Sequence, residues 1–293
     1  MTHMNNGGLP NHGYTHWWKM FNPLQLLVHS QILKAIMSSA VDSQAKECVL
    51  GGFQQYLRNQ VMFTIWNPQR DTPEPMFSNS NYHPKATTIE NSVFSKLGRG
   101  NWTACVEGVV EGAQWGQIPW EPVVTTMLEQ VAPELASGVS GKSTKVELPD
   151  KVYGDHKVNC GSATDLTAIE AASFDAVITD PPFGGLLHYS ELSDFFYVWL
   201  RLALKNDYPN LFEPEYVPKA LEAVANRARQ PDDPDAFYQR ILTDCWREAY
   251  RVVKPGGILA FTFHHSEDEP WVSVLGKFVR RRILPRSHVS NTQ

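Results

Sequence analysis

Residues 173–183 read Ser-Phe-Asp-Ala-Val-Ile-Thr-Asp-Pro-Pro-Phe. The first seven form a short, mostly apolar run of the kind that makes a buried parallel strand. Pro181 and Pro182 carry no N–H for a sheet ladder, so the strand must stop as it reaches Asp180. A parallel partner can be reached only through a crossover, which is usually helical. The sequence that follows supplies one. Leu192, Phe195, Phe196, Trp199 and Ala203 recur at helical spacing within 190–204, a stripe that reads as core packing. Phe237, Ile241, Leu242, Cys245, Trp246, Ala249 and Val253 do the same from Asp235 to Val253. Lys254-Pro255-Gly256-Gly257 has Pro and Gly where a type II turn wants them, and 258–263 reads as the next buried strand. Between the two helices, 206–234 holds five prolines and reads as an inserted loop. Lys157–Cys160 is a further short strand candidate, leading into Gly161-Ser162-Ala163. The expected class is α/β, a parallel sheet covered by helices and preceded by a mainly helical N-terminal region.

In that N-terminal region, Leu24, Leu27, Val28, Ile32 and Ile36 suggest one helical stripe, and a second helix is expected around Ala45–Leu57. The stretch Ile65–Thr88, containing WNPQRDTPEP, reads as irregular, and Ala136–Lys145 as a linker. Gly141-Lys142-Ser143 resembles the end of a phosphate-binding loop. Ala136 stands where that motif needs its first glycine, and no strand precedes it, so the reading fails. The expected division is 1–145, a helical and irregular region; 146–275, an α/β region; and 276–293, a basic tail. That tail carries Lys277, Arg280, Arg281, Arg282 and Arg286. It reads as a truncated or frame-shifted end, with a phosphate contact as the alternative.

Four cysteines without a CxxC pair, and ten histidines without ligand spacing, argue against a zinc site or a disulfide framework. No signal peptide or membrane-length apolar run is visible, so a reducing, cytoplasmic setting without membrane attachment is expected. The formal net charge of −5 excludes a wholly basic nucleic-acid coat but not a local basic groove. Nine Trp in 293 residues suit a protein that stacks on something planar, although most are accounted for by core packing.

Asp180 stands at the carboxyl edge of its strand, where open α/β sheets bind ligands. The exocyclic nitrogen of adenine N6 or cytosine N4 is a poor nucleophile, because its lone pair is delocalised into the ring. A carboxylate and a backbone carbonyl, both acceptors, can take its two N–H groups out of the ring plane and localise that pair. Asp180 offers the carboxylate. Pro181, with no N–H to compete, offers the carbonyl, and Pro182 stiffens the turn. Phe183 offers a flat face for an extruded base. No covalent intermediate is needed, and no nucleophile is evident.

On these residues the chain resembles a known family. The run ITDPPF is similar to the signature of S-adenosylmethionine-dependent amino-methyltransferases acting on adenine N6 or cytosine N4. DPPFGGLLHYSELSDFFYVWLR, YRVVKPGGILAFTFHH and the pairing of MFNPLQLLVHS with WNPQRD resemble, more narrowly, the large bacterial adenine-specific DNA methylases, over most of 14–275. The resemblance implies that Asp180 and Pro181 hold the target amine and Phe183 stacks on the base. It also implies that Ser162 and Ala163 border the adenine of S-adenosylmethionine, although many relatives have Asp where Ser162 stands. The resemblance further implies a partial Rossmann-like sheet, a target-recognition insert within 1–145 and the C-terminal part of the methyltransferase catalytic domain in 146–275, with DNA as the substrate and adenine N6 as the target. An RNA methyltransferase with the same motif is the first alternative, and a non-catalytic remnant or binding subunit the second. His188, Tyr189, His264 and His265 are weaker candidates for the surroundings of the base.

Enzymes of this kind need a Gly-rich turn after a strand and an acidic residue ending the next one. Gly51-Gly52 lacks the spaced glycines, and Gly108 and Gly112 have no strong strand before them. The chain is therefore expected to be the C-terminal portion of a longer methylase. A separate chain would then carry the glycine-rich motif.

Overall fold

A computed structural model describes residues 9–78, 89–95, 99–123, 144–148, 157–264 and 271. The chain is mixed α/β with small parallel and antiparallel sheets. It divides into two compact units, one of the described residues from 20 to 158 and one of residues 9–19 with those from 159 onward. No described helix is long and apolar enough to cross a membrane. His265, the Gly141–Ser143 run and the tail 276–293 lie outside the described residues.

In the first unit, α1 (Pro23–Ser38) opens on a capping box. Asn22 accepts from the Gln25 N–H at 2.8 Å, and Gln25 Oε1 accepts from the Asn22 N–H at 3.0 Å. The buried stripe runs through Gln25, His29, Ile32, Leu33 and Ile36, whereas Leu24 and Leu27 are exposed. Ile32 and Ile36 are thus buried as expected and Val28 is half-buried, but in the first two turns the buried face runs through Gln25 and His29 instead of Leu24 and Leu27, two polar residues that a hydrophobic stripe passes over. Helix α2 (Ser43–Leu57) is capped by Asp42, and α3 (Trp102–Gln117) by Asn101. A Cβ on Gly52 would lie 3.0 Å from Val109 Cγ2 and 3.3 Å from the Cys105 carbonyl, so this glycine lets α2 and α3 approach closely.

The stretch expected to be irregular contains an antiparallel hairpin, β1 (Ile65–Asn67) against β2 (Thr72–Glu74). Asn67 Oδ1 accepts from the Gln69 and Arg70 N–H groups, and Asp71 takes φ +51°, so side-chain turn chemistry closes a hairpin that strand periodicity was too short to reveal. Strand β3 (Trp120–Val123) pairs antiparallel with β4 (Thr144–Glu147). Thr144 and Lys145 thus open a strand rather than end a linker, and the expected border at 145/146 cuts through it.

In the second unit, β5 (Phe174–Thr179) lies parallel to β6 (Val253–Phe261). Between them in sequence come α4 (Tyr189–Leu204), a single turn α5 (Pro209–Phe212) and α6 (Pro234–Val252). Phe174 faces Val253 and Ala176 faces Ile258, so residues 254–257 bulge out of the ladder. Gly256 takes φ +81°, as the third residue of a type II turn requires. A Cβ on Gly257 would meet the Asp175 carbonyl at 2.7 Å and Val253 Cγ2 at 2.8 Å. Gly257→Ala is accordingly expected to cost about 1–3 kcal/mol, read as a lower melting temperature, because backbone on the facing strand cannot yield.

The inner sheet face, with Val177, Leu259, Phe261 and Phe263, packs on Tyr238, Ile241, Leu242, Trp246 and Ala249 of α6. Ile178 on the outer face is 82% exposed and Ile258 63%. The buried strands expected from the sequence are thus half-buried on one face and exposed on the other. Lys157–Cys160 forms no strand and is exposed throughout, since no described strand lies alongside to pair with it.

Candidate functional site

Asp180 follows the last residue of β5, at the carboxyl edge of the parallel pair. The Thr262 N–H donates to the Thr179 carbonyl at 3.2 Å, carrying the ladder one residue past β6. That register sets Thr262 beside Asp180, and the Thr262 hydroxyl donates to Asp180 Oδ1. One carboxylate oxygen is oriented by this bond while the second keeps its acceptor capacity. Asp180 is exposed and Pro181 buried, so the carboxylate is the accessible member of the pair.

The loop that follows is pinned from two sides. The Tyr238 hydroxyl, on α6, donates to the Pro182 carbonyl at 2.8 Å. Burial pushes the Tyr238 pKa up, so the phenol stays a donor. Phe183 meets Phe263 edge-on, with centroids 5.5 Å apart, and Phe263 meets Trp271 edge-on at 5.0 Å. Further along, the Gly184 carbonyl accepts from the Ala225 N–H at 3.2 Å. Tyr238→Phe is expected to lower stability by about 1 kcal/mol, as measured by thermal or urea melting, because it removes the donor from a carbonyl that fixes the Asp-Pro-Pro turn.

The segment before β5 is held differently. Arg251 donates to the Leu166 carbonyl at 2.6 Å and the Ile169 carbonyl at 2.9 Å, while Glu248 accepts from the Leu166 N–H at 2.9 Å. Hydrogen bonds to Arg251 hold the Glu248 carboxyl below its ordinary pKa. Ser162 lies within 2.8 Å of the Thr164 hydroxyl and accepts from the Thr164 N–H, so its side chain closes a local turn, and Ala163 is exposed.

S-adenosylmethionine would need a glycine-rich loop between a strand and a helix. Gly51 and Gly52 lie inside α2, and Gly108 and Gly112 inside α3, so none of them forms a loop between a strand and a helix. Ser162 is engaged locally, and residues 157–161 leading into it form no strand. Among the described residues the donor set does not fit the cofactor. No group of His, Cys, Asp and Glu among them could hold a metal ion.

Of the predicted residues, the Asp180–Phe183 run is therefore gathered into one braced turn, and Ser162 and Ala163 stand in a separate loop. Tyr189 is the exposed first residue of α4, and His264 is exposed just past β6. Thr262, Phe263 and Tyr238 escaped the sequence reading. The strand alternation of 258–263 was the available signal for the first two, and Tyr238 had none.

Comparison with protein-family models, curated proteins and solved structures gives no match.

Proposed function

We propose that this chain is the target-base half of an S-adenosylmethionine-dependent DNA adenine-N6 methyltransferase. The observation that carries the reading is the Asp180 carboxylate, exposed at the carboxyl end of β5 and oriented by Thr262. In this reading the exposed Asp180 carboxylate takes an N–H of the exocyclic amine, the buried Pro181 fixes the turn behind it rather than offering its carbonyl, and Phe183, steadied by Phe263, supports the ring of an extruded base. Strands β5 and β6 belong to a Rossmann-like sheet. S-adenosylmethionine is the methyl donor, and a second polypeptide with a glycine-rich strand–loop–helix binds it, since the described residues do not fit it. Alone, the chain is then a base-binding subunit, which is the observation-led form of the non-catalytic alternative.

Fluorescence anisotropy with a labelled single-stranded oligonucleotide bearing one central adenine tests the reading. Asp180→Ala is expected to weaken binding by about tenfold or more, since a hydrogen bond to a charged group is lost. An unchanged affinity refutes the role of Asp180. Calorimetry with S-adenosylmethionine should show no binding at micromolar concentration, and micromolar binding would overturn the assignment of the donor to a second polypeptide. Tighter binding of the matching RNA moves the reading to an RNA substrate.

A further inference from the structure

Five residues beyond Phe183, the chain holds a histidine in one defined tautomer. The Leu186 N–H donates to the Phe183 carbonyl at 3.3 Å, folding the chain back. Gly185 lies so close to Ala225 that a Cβ there would sit 2.7 Å from the Ala225 carbonyl oxygen. The next residue, Asn226, is 2% exposed and has its Nδ2 2.7 Å from His188 Nδ1. The loop after the Asp-Pro-Pro turn and the 225–226 segment are thus joined at Gly184, Gly185 and His188.

The orientation of the Asn226 amide is fixed by its other partners. Its Oδ1 accepts from the Ala228 N–H at 2.9 Å, and its Nδ2 donates toward Glu191 Oε1 at 3.4 Å. A flipped amide would set oxygen against the Glu191 carboxylate and leave the Ala228 N–H facing a donor. His188 Nδ1 must therefore accept, and the ring proton sits on Nε2. Among the described residues no partner takes that Nε2–H, and the side chain is half-buried rather than sealed.

Resting on the target-base reading above, we infer that His188 is a specificity-determining residue, its Nε2–H donating to a ring nitrogen that flanks the target amine. A carboxylate acceptor and a ring N–H donor together read an amine beside an unprotonated ring nitrogen. Adenine N6 and cytosine N4 present that pattern, while guanine and thymine present a carbonyl at the corresponding ring position. Asn226 is the positioning residue, acting through the tautomer of His188.

The test uses the full chain and four oligonucleotides that differ only at one central base: adenine, 1-deazaadenine, 7-deazaadenine and purine. Purine lacks the amine, and each deaza analogue lacks one flanking nitrogen. Wild type is expected to bind adenine about tenfold tighter than purine and about tenfold tighter than one of the two deaza analogues. His188→Phe should abolish the deaza discrimination and keep the purine discrimination, and His188→Gln, whose amide can donate, should restore it. Purine discrimination without any deaza discrimination overturns the role of His188 and leaves the amine-binding reading standing. Loss of purine discrimination in wild type refutes that reading itself. Independently of folding in the variants, the ring nitrogen NMR shifts of wild-type His188 should report the Nε2–H form, and an Nδ1–H form overturns the inference.

Discussion

Arg229→Ala is expected to destabilise the unit that carries β5 and β6 by about 3–5 kcal/mol. The Arg229 side chain is 8% accessible and faces two carboxylates, Glu222 at 2.7 Å and Glu191 at 3.3 Å, which are themselves 11% and 7% accessible. The Arg229 Nε contact to Glu191 is electrostatic without hydrogen-bond alignment, whereas Nη2 donates properly to Glu222. Arg229 Nη1 also donates to the Lys219 carbonyl at 2.8 Å. The Ser190 hydroxyl lies 2.6 Å from Glu222 Oε2 and 3.0 Å from Glu191 Oε2, but it has one proton and can serve one of them. Without the guanidinium, two buried negative charges would face each other across that hydroxyl. Set against a typical domain stability of about 5–15 kcal/mol, such a loss is a large fraction of the whole.

The same substitution should disturb the candidate site, because Arg229 anchors the segment that contains Ala225 and Asn226. Urea melting followed by far-ultraviolet circular dichroism measures the stability, and oligonucleotide affinity the second effect. Arg229→Lys is expected to recover part of the loss, since an ammonium keeps the charge but lacks the planar fork. Replacing Arg229, Glu191 and Glu222 together by apolar residues of similar volume should recover more than lysine does, because the penalty comes from unpaired buried charge rather than from the missing pair. A loss under about 1 kcal/mol for the alanine variant would show that Arg229 does not hold these carboxylates.

That cluster also marks where the sequence was legible. The turn at Asp180 could be read directly, because two prolines must end a strand and the preceding run is apolar. The helices α4 and α6 could be read from their spacing. The sign that Glu191 and Asp194 are buried was present as well: they fall on the same face as Phe195 and Trp199, and a carboxylate on an apolar stripe needs a cation. What could not be read was which cation. Arg229 and Lys219 come from a proline-rich segment without periodicity, folded back over 25–38 residues onto α4. Thr262 and Tyr238 reach the Asp-Pro-Pro turn across 82 and 56 residues, the first set there by the parallel register and the second by the packing of α6 on the sheet. In the N-terminal unit, helix α3 was missed because Gly108 and Gly112 lower the local propensity, while its close packing on Gly52 of α2 favours the helix.

The unit containing residues 20–158 should lose about 3 kcal/mol of stability as the pH falls from 6.5 to about 4. His29 is fully buried between α1 and α2. Its Nε2 lies 3.0 Å from the Gln60 carbonyl, which can only accept, so Nε2 carries the proton. Nδ1 then accepts from the Tyr56 hydroxyl at 2.9 Å. Both ring nitrogens are satisfied in the neutral form, and a second proton would have to displace the Tyr56 donor. Burial holds the His29 pKa down at about 4, only partly offset by the Gln60 carbonyl. The unfolded chain binds its proton near pH 6.5, so between these values the unfolded state holds more protons than the folded one. Stability is therefore fully present above pH 6.5 and falls by about 1.4 kcal/mol for each pH unit below it. The control is His29→Phe, which cannot titrate. At pH 7 it should be less stable than wild type by about 2–4 kcal/mol, because it leaves the Tyr56 hydroxyl and the Gln60 carbonyl buried without their partner. At pH 4 that difference should nearly close, since wild type has lost the contribution and the variant has none to lose. Urea melts of both proteins at several pH values between 4 and 7 measure the convergence. Parallel pH profiles, with the difference unchanged across that range, would show that His29 is not held neutral by this pair of hydrogen bonds.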